Sequence, residues 1–141
     1  MKGTFLIVMV ICTCICSKAQ IHEYSCKLEN NAQIDELYGF RNNYLLIYHQ
    51  GFDYFIKTRD TLYGPFTSYT NNFCIDEQGK IAFEIVKNNF RYVYSGTDIY
   101  GPYKYVSKLT FSPSGKKLAM YVEESGIKYL VCNGEKITDL E

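Results

Sequence analysis

Few side chains in this chain are suited to chemistry, and their spacing narrows the choice further. The two histidines, His22 and His49, have no cysteine or carboxylate companions at the short spacings that hold a metal ion. Both read as solvated, His49 at a turn after a strand. Acidic pairs stand at Asp35-Glu36, Asp76-Glu77 and Glu123-Glu124. Hydrolysis by two carboxylates needs both groups facing one cleft, whereas neighbours on a strand point to opposite faces. All three pairs border apparent turns and read as solubilising charge. Beyond residue 16 the cysteines are Cys26, Cys74 and Cys132, an odd and widely spaced set. That is no disulfide framework. One pair could form in an oxidising compartment, but Cys74 and Cys132 fall within apparent strands and are expected to be small core residues. No Gly-rich phosphate loop, nucleophile elbow or Cys–His arrangement occurs. The expectation is a protein with no catalytic residues, no metal site and no cofactor.

Tyrosine supplies the remaining chemistry. The chain has 14 Tyr, 9 Phe and no Trp. Tyr63, Tyr69, Tyr92, Tyr94, Tyr100, Tyr103, Tyr105 and Tyr129 recur at related positions. Tyr offers a large area with a polar tip and is enriched at interfaces, although packing between sheets is its plainer use. Tyr100, Tyr103 and Tyr105 alternate, which would place them on one strand face. They are the candidate binding residues.

The elements that must position these side chains are repeated ones. Tyr63-Gly64-Pro65-Phe66 returns as Tyr100-Gly101-Pro102-Tyr103, 37 positions on. Arg91-Tyr92-Val93-Tyr94 returns as Lys128-Tyr129-Leu130-Val131 at the same offset, and Gly79-Lys80 as Gly115-Lys116 at 36. Several landmarks at one spacing mark a true internal repeat. A more degenerate copy precedes them. In it Ile34-Asp35-Glu36 stands for Ile75-Asp76-Glu77, Tyr44–Tyr48 for Ile81–Ile85, and Asp53–Ile56 for Arg91–Tyr94. Its connecting turn, around Gly39–Asn43, is expected to be longer.

Each unit holds the same four pieces. A strand leads into an Asp-Glu-Gln-Gly or Ser-Pro-Ser-Gly turn, then a second strand, a polar break and a third strand. A fourth, edge-like segment carries Tyr-Gly-Pro, since Pro cannot donate to a ladder. Asn133-Gly134 favours φ > 0 at both central positions of a two-residue hairpin. Four short antiparallel strands in about 37 residues is the content of one propeller blade. The fold class expected is all-β, with about three antiparallel four-stranded propeller-like blades in a partial or open propeller. Units are expected at about 33–66, 67–103 and 104–141, after a polar entry segment at 20–32. In that segment Ile21, Tyr24 and Leu28 suit either a helix turn or an edge strand.

The first nineteen residues read as a secretory signal peptide: Lys2, an apolar run from Phe5 to Cys16, and a small residue before the cut after Ala19. Left uncut, the run would be a membrane anchor. Cys12, Cys14 and Cys16 lack the residues a lipid-attachment box wants before its cysteine. Cleavage removes Lys2 and Lys18 and no acid, leaving 13 basic residues against 15 acidic ones. Such a mixed surface offers nothing to nucleic acid or to an anionic membrane.

Leu109-Thr-Phe-Ser-Pro-Ser-Gly-Lys-Lys-Leu-Ala-Met-Tyr121 resembles the WD40-like repeat of secreted and periplasmic bacterial β-propellers of the TolB type. That repeat is commonly a strand ending Phe-Ser-Pro-Asp-Gly-Lys, followed by an apolar strand. Here Ser114 replaces the usual Asp, and the second copy reads Ile75-Asp-Glu-Gln-Gly-Lys80. Phe73-Cys-Ile-Asp-Glu-Gln-Gly-Lys-Ile81 also resembles the WG-type repeat, although the chain has no Trp. The first resemblance implies a β-propeller-like fold in a secreted or periplasmic protein and names no activity.

Closed propellers generally use four or more blades. Three units therefore imply a relative of a longer propeller, an open array, or a sheet completed by a partner through open strand edges. The function expected is a secreted or periplasmic, non-enzymatic β-repeat module that binds a ligand, another protein or a second copy of itself. The competing expectations are a blade fragment or accessory unit of a larger propeller-containing hydrolase, and a structural component of the cell envelope.

Overall fold

The repeat spacing becomes a regular succession of strands. The structure, a computed structural model, describes residues 4–15, 18–29, 31–40 and 43–140. Every regular element among them is a β-strand, and among these described residues no helix is long and apolar enough to cross a membrane. The chain divides into two compact units, residues 1–65 and 66–141.

In the first unit, β1 (Thr4–Ile15) pairs antiparallel with β2 (Lys18–Glu29). The entry segment is thus a strand as far as Glu29. Of the expected leader, residues 1–3, 16 and 17 lie outside the described residues. A four-stranded antiparallel sheet follows: β3 (Gln33–Phe40), β4 (Asn43–Gln50), β5 (Asp53–Thr58) and β6 (Leu62–Phe66), in sequential order. Leu28 packs with Tyr44, Leu46 and Tyr48 of β4, and Phe55 stacks on Tyr48 at 5.3 Å.

The second unit holds two more such sheets. One is β7 (Ser68–Ile75), β8 (Ile81–Lys87), β9 (Phe90–Ser95) and β10 (Asp98–Tyr103); the other is β11 (Tyr105–Phe111), β12 (Leu118–Glu124), β13 (Ile127–Cys132) and β14 (Glu135–Leu140). These two sheets share a core of Ala82, Val93, Tyr103, Val106, Leu118, Met120, Val122 and Val131, with Cys74, Tyr100 and Phe111 at its margin. The fold is therefore all-β, with three blade-like four-stranded antiparallel sheets.

Local chemistry explains the turns. Asp76 Oδ1 accepts from the N–H groups of Gln78 and Lys80, each at 2.8 Å, and so closes the β7–β8 turn. In the β11–β12 turn Ser112 takes that part, its Oγ accepting from Lys117 N–H at 3.1 Å. Three other hairpins of this unit turn on residue pairs with positive φ, Asn88-Asn89, Ser125-Gly126 and Asn133-Gly134, while the β9–β10 turn has positive φ at Gly96 alone. Two-residue turns of this hand match the twist of the strands they join.

Burial repeats as faithfully as sequence. From Asp53 to Thr58 and from Phe90 to Ser95 the same positions are buried, with Ile56 matching Val93; Phe66 then matches Tyr103. Both Gly64-Pro65 and Gly101-Pro102 are cis, in β6 and β10, each the last strand of its sheet. This register corrects the expected alignment of the first copy. Asp53 takes the place of Phe90 rather than Arg91. Ile34 lies opposite Tyr48, as Tyr69 lies opposite Ile85, so it stands for Tyr69 and not for Ile75. Asp35 and Glu36 are inside β3, and Gly39 and Phe40 end that strand instead of forming a longer turn. Glu123 and Glu124 are likewise strand residues.

The third sheet differs from the second in what covers it. Ala82, Glu84 and Val93 are each at most 1 % exposed. Their repeat equivalents Ala119, Tyr121 and Leu130 lie on the face opposite Leu118, Met120 and Val122, and Tyr121 is 38 % exposed.

Candidate functional site

The expected tyrosine face forms only in part, since Tyr105 belongs to another sheet. β10 ends at Tyr103 and β11 begins at Tyr105, in the next sheet, with Lys104 N–H bonded to Glu123 C=O at 3.1 Å between them. The β9–β10 register also shifts between Tyr100 and Tyr103. That shift leaves Tyr100 opposite Val93 and Tyr103 opposite Arg91, two residues apart on β9, so these two share a face and only Tyr105 is separated from them. Tyr103 is buried in the shared core, and its hydroxyl is held above its ordinary pKa by that burial. Tyr105 is half exposed, with the Arg91 guanidinium 5.7 Å from its ring centre. Tyr100 lines a cavity.

That cavity is an open, polar cleft of about 530 Å³ at the turn end of the second and third sheets. The second sheet contributes Lys80 from the β7–β8 turn and Thr97, Asp98, Ile99 and Tyr100 from the β9–β10 turn and the start of β10. The third contributes Lys116 from the β11–β12 turn and Asn133 from the β13–β14 turn. Glycines let these turns come together. A Cβ on Gly115 would lie 2.2 Å from Asp76 Oδ2, and one on Gly134 would lie 3.0 Å from Tyr100 Cδ1.

Asn133 and Lys80 have a defined anchor or partner. Asn133 is fixed at both ends to Leu118: its N–H donates to the Leu118 carbonyl at 2.9 Å, and its Oδ1 accepts the Leu118 N–H at 2.8 Å. The Lys80 ammonium lies 5.3 Å from the centre of the Phe111 ring, within cation–π range. Burial, and after it the Asp98 carboxylate, raises the Tyr100 pKa, so the hydroxyl stays protonated at neutral pH. Ser95, directly opposite Asp98 in the β9–β10 pair, is 2 % exposed, and its Oγ has no hydrogen-bond partner.

Two further polar groupings lie elsewhere. Glu84 is 1 % exposed in the middle of β8. Its carboxylate is paired with Arg91 and accepts from Asn72 Nδ2 at 2.6 Å; the same amide reaches the Val106 carbonyl at 3.4 Å. This cluster joins the second and third sheets. In the first unit, His49 Nδ1 lies 2.9 Å from Asp35 Oδ2, with the Tyr54 ring at 5.6 Å. His49 is therefore a β4 residue with a carboxylate partner, not a solvated turn histidine. A His–Asp pair orients an imidazole, but activating a nucleophile needs a third group on the ring, and none is hydrogen-bonded there. The side chain of His22 lies outside the described residues.

Cys74 and Cys132 are free thiols. Burial pushes Cys74 up to about 11, which suits a packing residue and not a nucleophile. Among the described residues no three His, Cys, Asp or Glu side chains converge as a metal ion would require.

Sequence reasoning found Tyr100 and missed the rest of the cleft, because Lys80, Lys116 and Asn133 come together only when successive units pack. The available signal was the repeat: Lys80 and Lys116 both follow the turn glycine of their units. No protein-family model, curated protein or solved structure matches this chain.

Proposed function

We propose that this protein is a secreted or periplasmic, non-enzymatic β-repeat module that binds a small ligand in the cleft around Tyr100. The observation that carries this reading is the cleft's construction: two successive repeats supply its lining groups from four turns, and Asn133 among them is fixed by bonds to the Leu118 backbone. Pre-set polar groups in a concavity of this size are what small-ligand sites use. The leader-like first nineteen residues and the resemblance of Leu109–Tyr121 to the WD40-like repeat support the compartment.

Association through open sheet edges has less support. Pro65 and Pro102 sit in β6 and β10, where a missing N–H blunts the addition of a strand.

The test is an NMR titration of the full chain with a panel of neutral sugars, sugar acids, sugar phosphates, amino acids and short peptides. Shifts confined to the amides of Lys80, Thr97–Tyr100, Lys116 and Asn133, with every panel compound unchanged, are the expected result. A silent cleft, or new product signals in the panel, overturns the reading.

A further inference from the structure

Neighbouring residues on a strand point to opposite faces, so an unbroken run of buried residues means that both faces of a sheet are covered. In β4 every residue from Tyr44 to Tyr48 is buried, and in β8 every residue from Ile81 to Ile85. In β12 the buried residues are Leu118, Met120 and Val122, which all point one way. The other face of the third sheet is open. It carries Ala119, Tyr121 and Glu123 of β12, directly opposite Cys132, Leu130 and Lys128 of β13. Within the single chain the Lys108 ammonium lies over the Tyr121 ring, 5.6 Å from its centre, on a stem flexible enough to move aside.

The repeat shows what a face in this position receives. Its equivalent in the second sheet, with Ala82 and Val93, is covered by the third sheet through Leu118, Met120 and Val122. The open face thus continues an interface that the chain already uses once, and its counterpart there is another sheet. A second copy of the chain has no free face of the Leu118 kind to give. That face is buried, and so are its equivalents, the Tyr44 face beneath Leu28 and the Ile81 face. What a second copy can give is the same open face. A contact between like faces is isologous and closes at two chains.

This face is complementary to itself. A two-fold axis running along the strands, between β12 and β13, lays Tyr121 on Leu130 of the second copy and Glu123 on Lys128 of the second copy. Each pairing occurs twice, so apolar meets apolar and acid meets base. We propose that the open face of the third sheet, centred on Tyr121 and Leu130, binds the same face of a second copy of this chain. Four strands about 4.8 Å apart and some twenty ångströms long give a footprint on the order of 400 Å² a side. That is the size of a weak, transient interface, so the pairing is concentration-dependent.

Sedimentation equilibrium of the full chain, from micromolar to near-millimolar, tests this. The expected result is a mass that rises from one chain to two and stops there. Tyr121→Lys should raise the dissociation constant at least about tenfold with unchanged circular dichroism, whereas Phe90→Lys, at the exposed β8–β9 turn, should leave it unchanged. Lys128→Glu should weaken the pairing, and adding Glu123→Lys should restore it, which a folding defect would not do. A single chain at every concentration overturns the proposal, and so does a mass that climbs past two. Pairing that survives Tyr121→Lys belongs to another surface and overturns it as well. None of these outcomes bears on the cleft around Tyr100.

Discussion

Glu84 is the residue whose setting departs furthest from its type. Its repeat equivalents are Ile47, which is buried, and Tyr121, which is partly exposed, so the backbone at this position tolerates several chemistries. The carboxylate is retained at 1 % exposure only because Arg91 and Asn72 bond to it. A buried ion pair is a weak source of stability, yet breaking it strands a charge. Arg91→Ala is therefore expected to cost about 3 kcal/mol in a denaturant-unfolding experiment. Replacing both members, Glu84→Leu with Arg91→Leu, should restore most of that loss. If the single variant is no less stable than the wild type, the pair does not carry the charge of Glu84. In the sequence Glu84 shows only as the lone charge between Ile81 and Val86, and its burial depends on a neighbouring sheet that local pattern does not contain.

At the scale of the element, the Tyr-Gly-Pro strand is the most constrained piece. Gly64 and Gly101 have φ near +129 and +127, and a Cβ on Gly101 would stand 2.7 Å from the Arg91 carbonyl oxygen. The last strand of each of these sheets lies so close to the third that only glycine fits. Gly101→Ala should lower stability by about 2–3 kcal/mol, with a reduced denaturation midpoint. Gly96→Ala, at φ +63 with open space around it, should cost about 1 kcal/mol. Equal effects would mean that φ, and not close approach, selects glycine here. This strand was legible as an edge because the motif recurs and Pro forbids a central place. The tyrosine face was misread on the same segment. The register shift after Tyr100 does bring Tyr100 and Tyr103 to one face, but alternation was carried on across Lys104, where the chain leaves one sheet for the next. The first copy was misaligned for a related reason: β3 has no Asp-x-x-Gly turn to anchor it, and its register is set by pairing with β4.

At the scale of the whole molecule, stability should follow the sheets. The all-β class and the four-strand units were legible because periodicity, turn chemistry and repeat spacing all agree, a consistency that itself marks a foldable pattern. The cleft was not, because it belongs to packing between repeats. Local opening energies range from near zero up to the global value. Interior β8, buried from Ile81 to Ile85, should hold its amide protons at least about a hundredfold longer than the terminal strand β10. Hydrogen exchange followed by mass spectrometry measures this directly. Uniform exchange across the second sheet would show that it opens as one cooperative block.

The constant spacing of the second and third sheets has an experimental use of its own. Val93 and Leu130, or Ala82 and Ala119, occupy the same place on the same backbone, yet one member of each pair is sealed by a neighbouring sheet and the other is not. The same substitution made at both sites isolates the cost of desolvation from strand geometry, turn type and chain context. The molecule carries its own reference state.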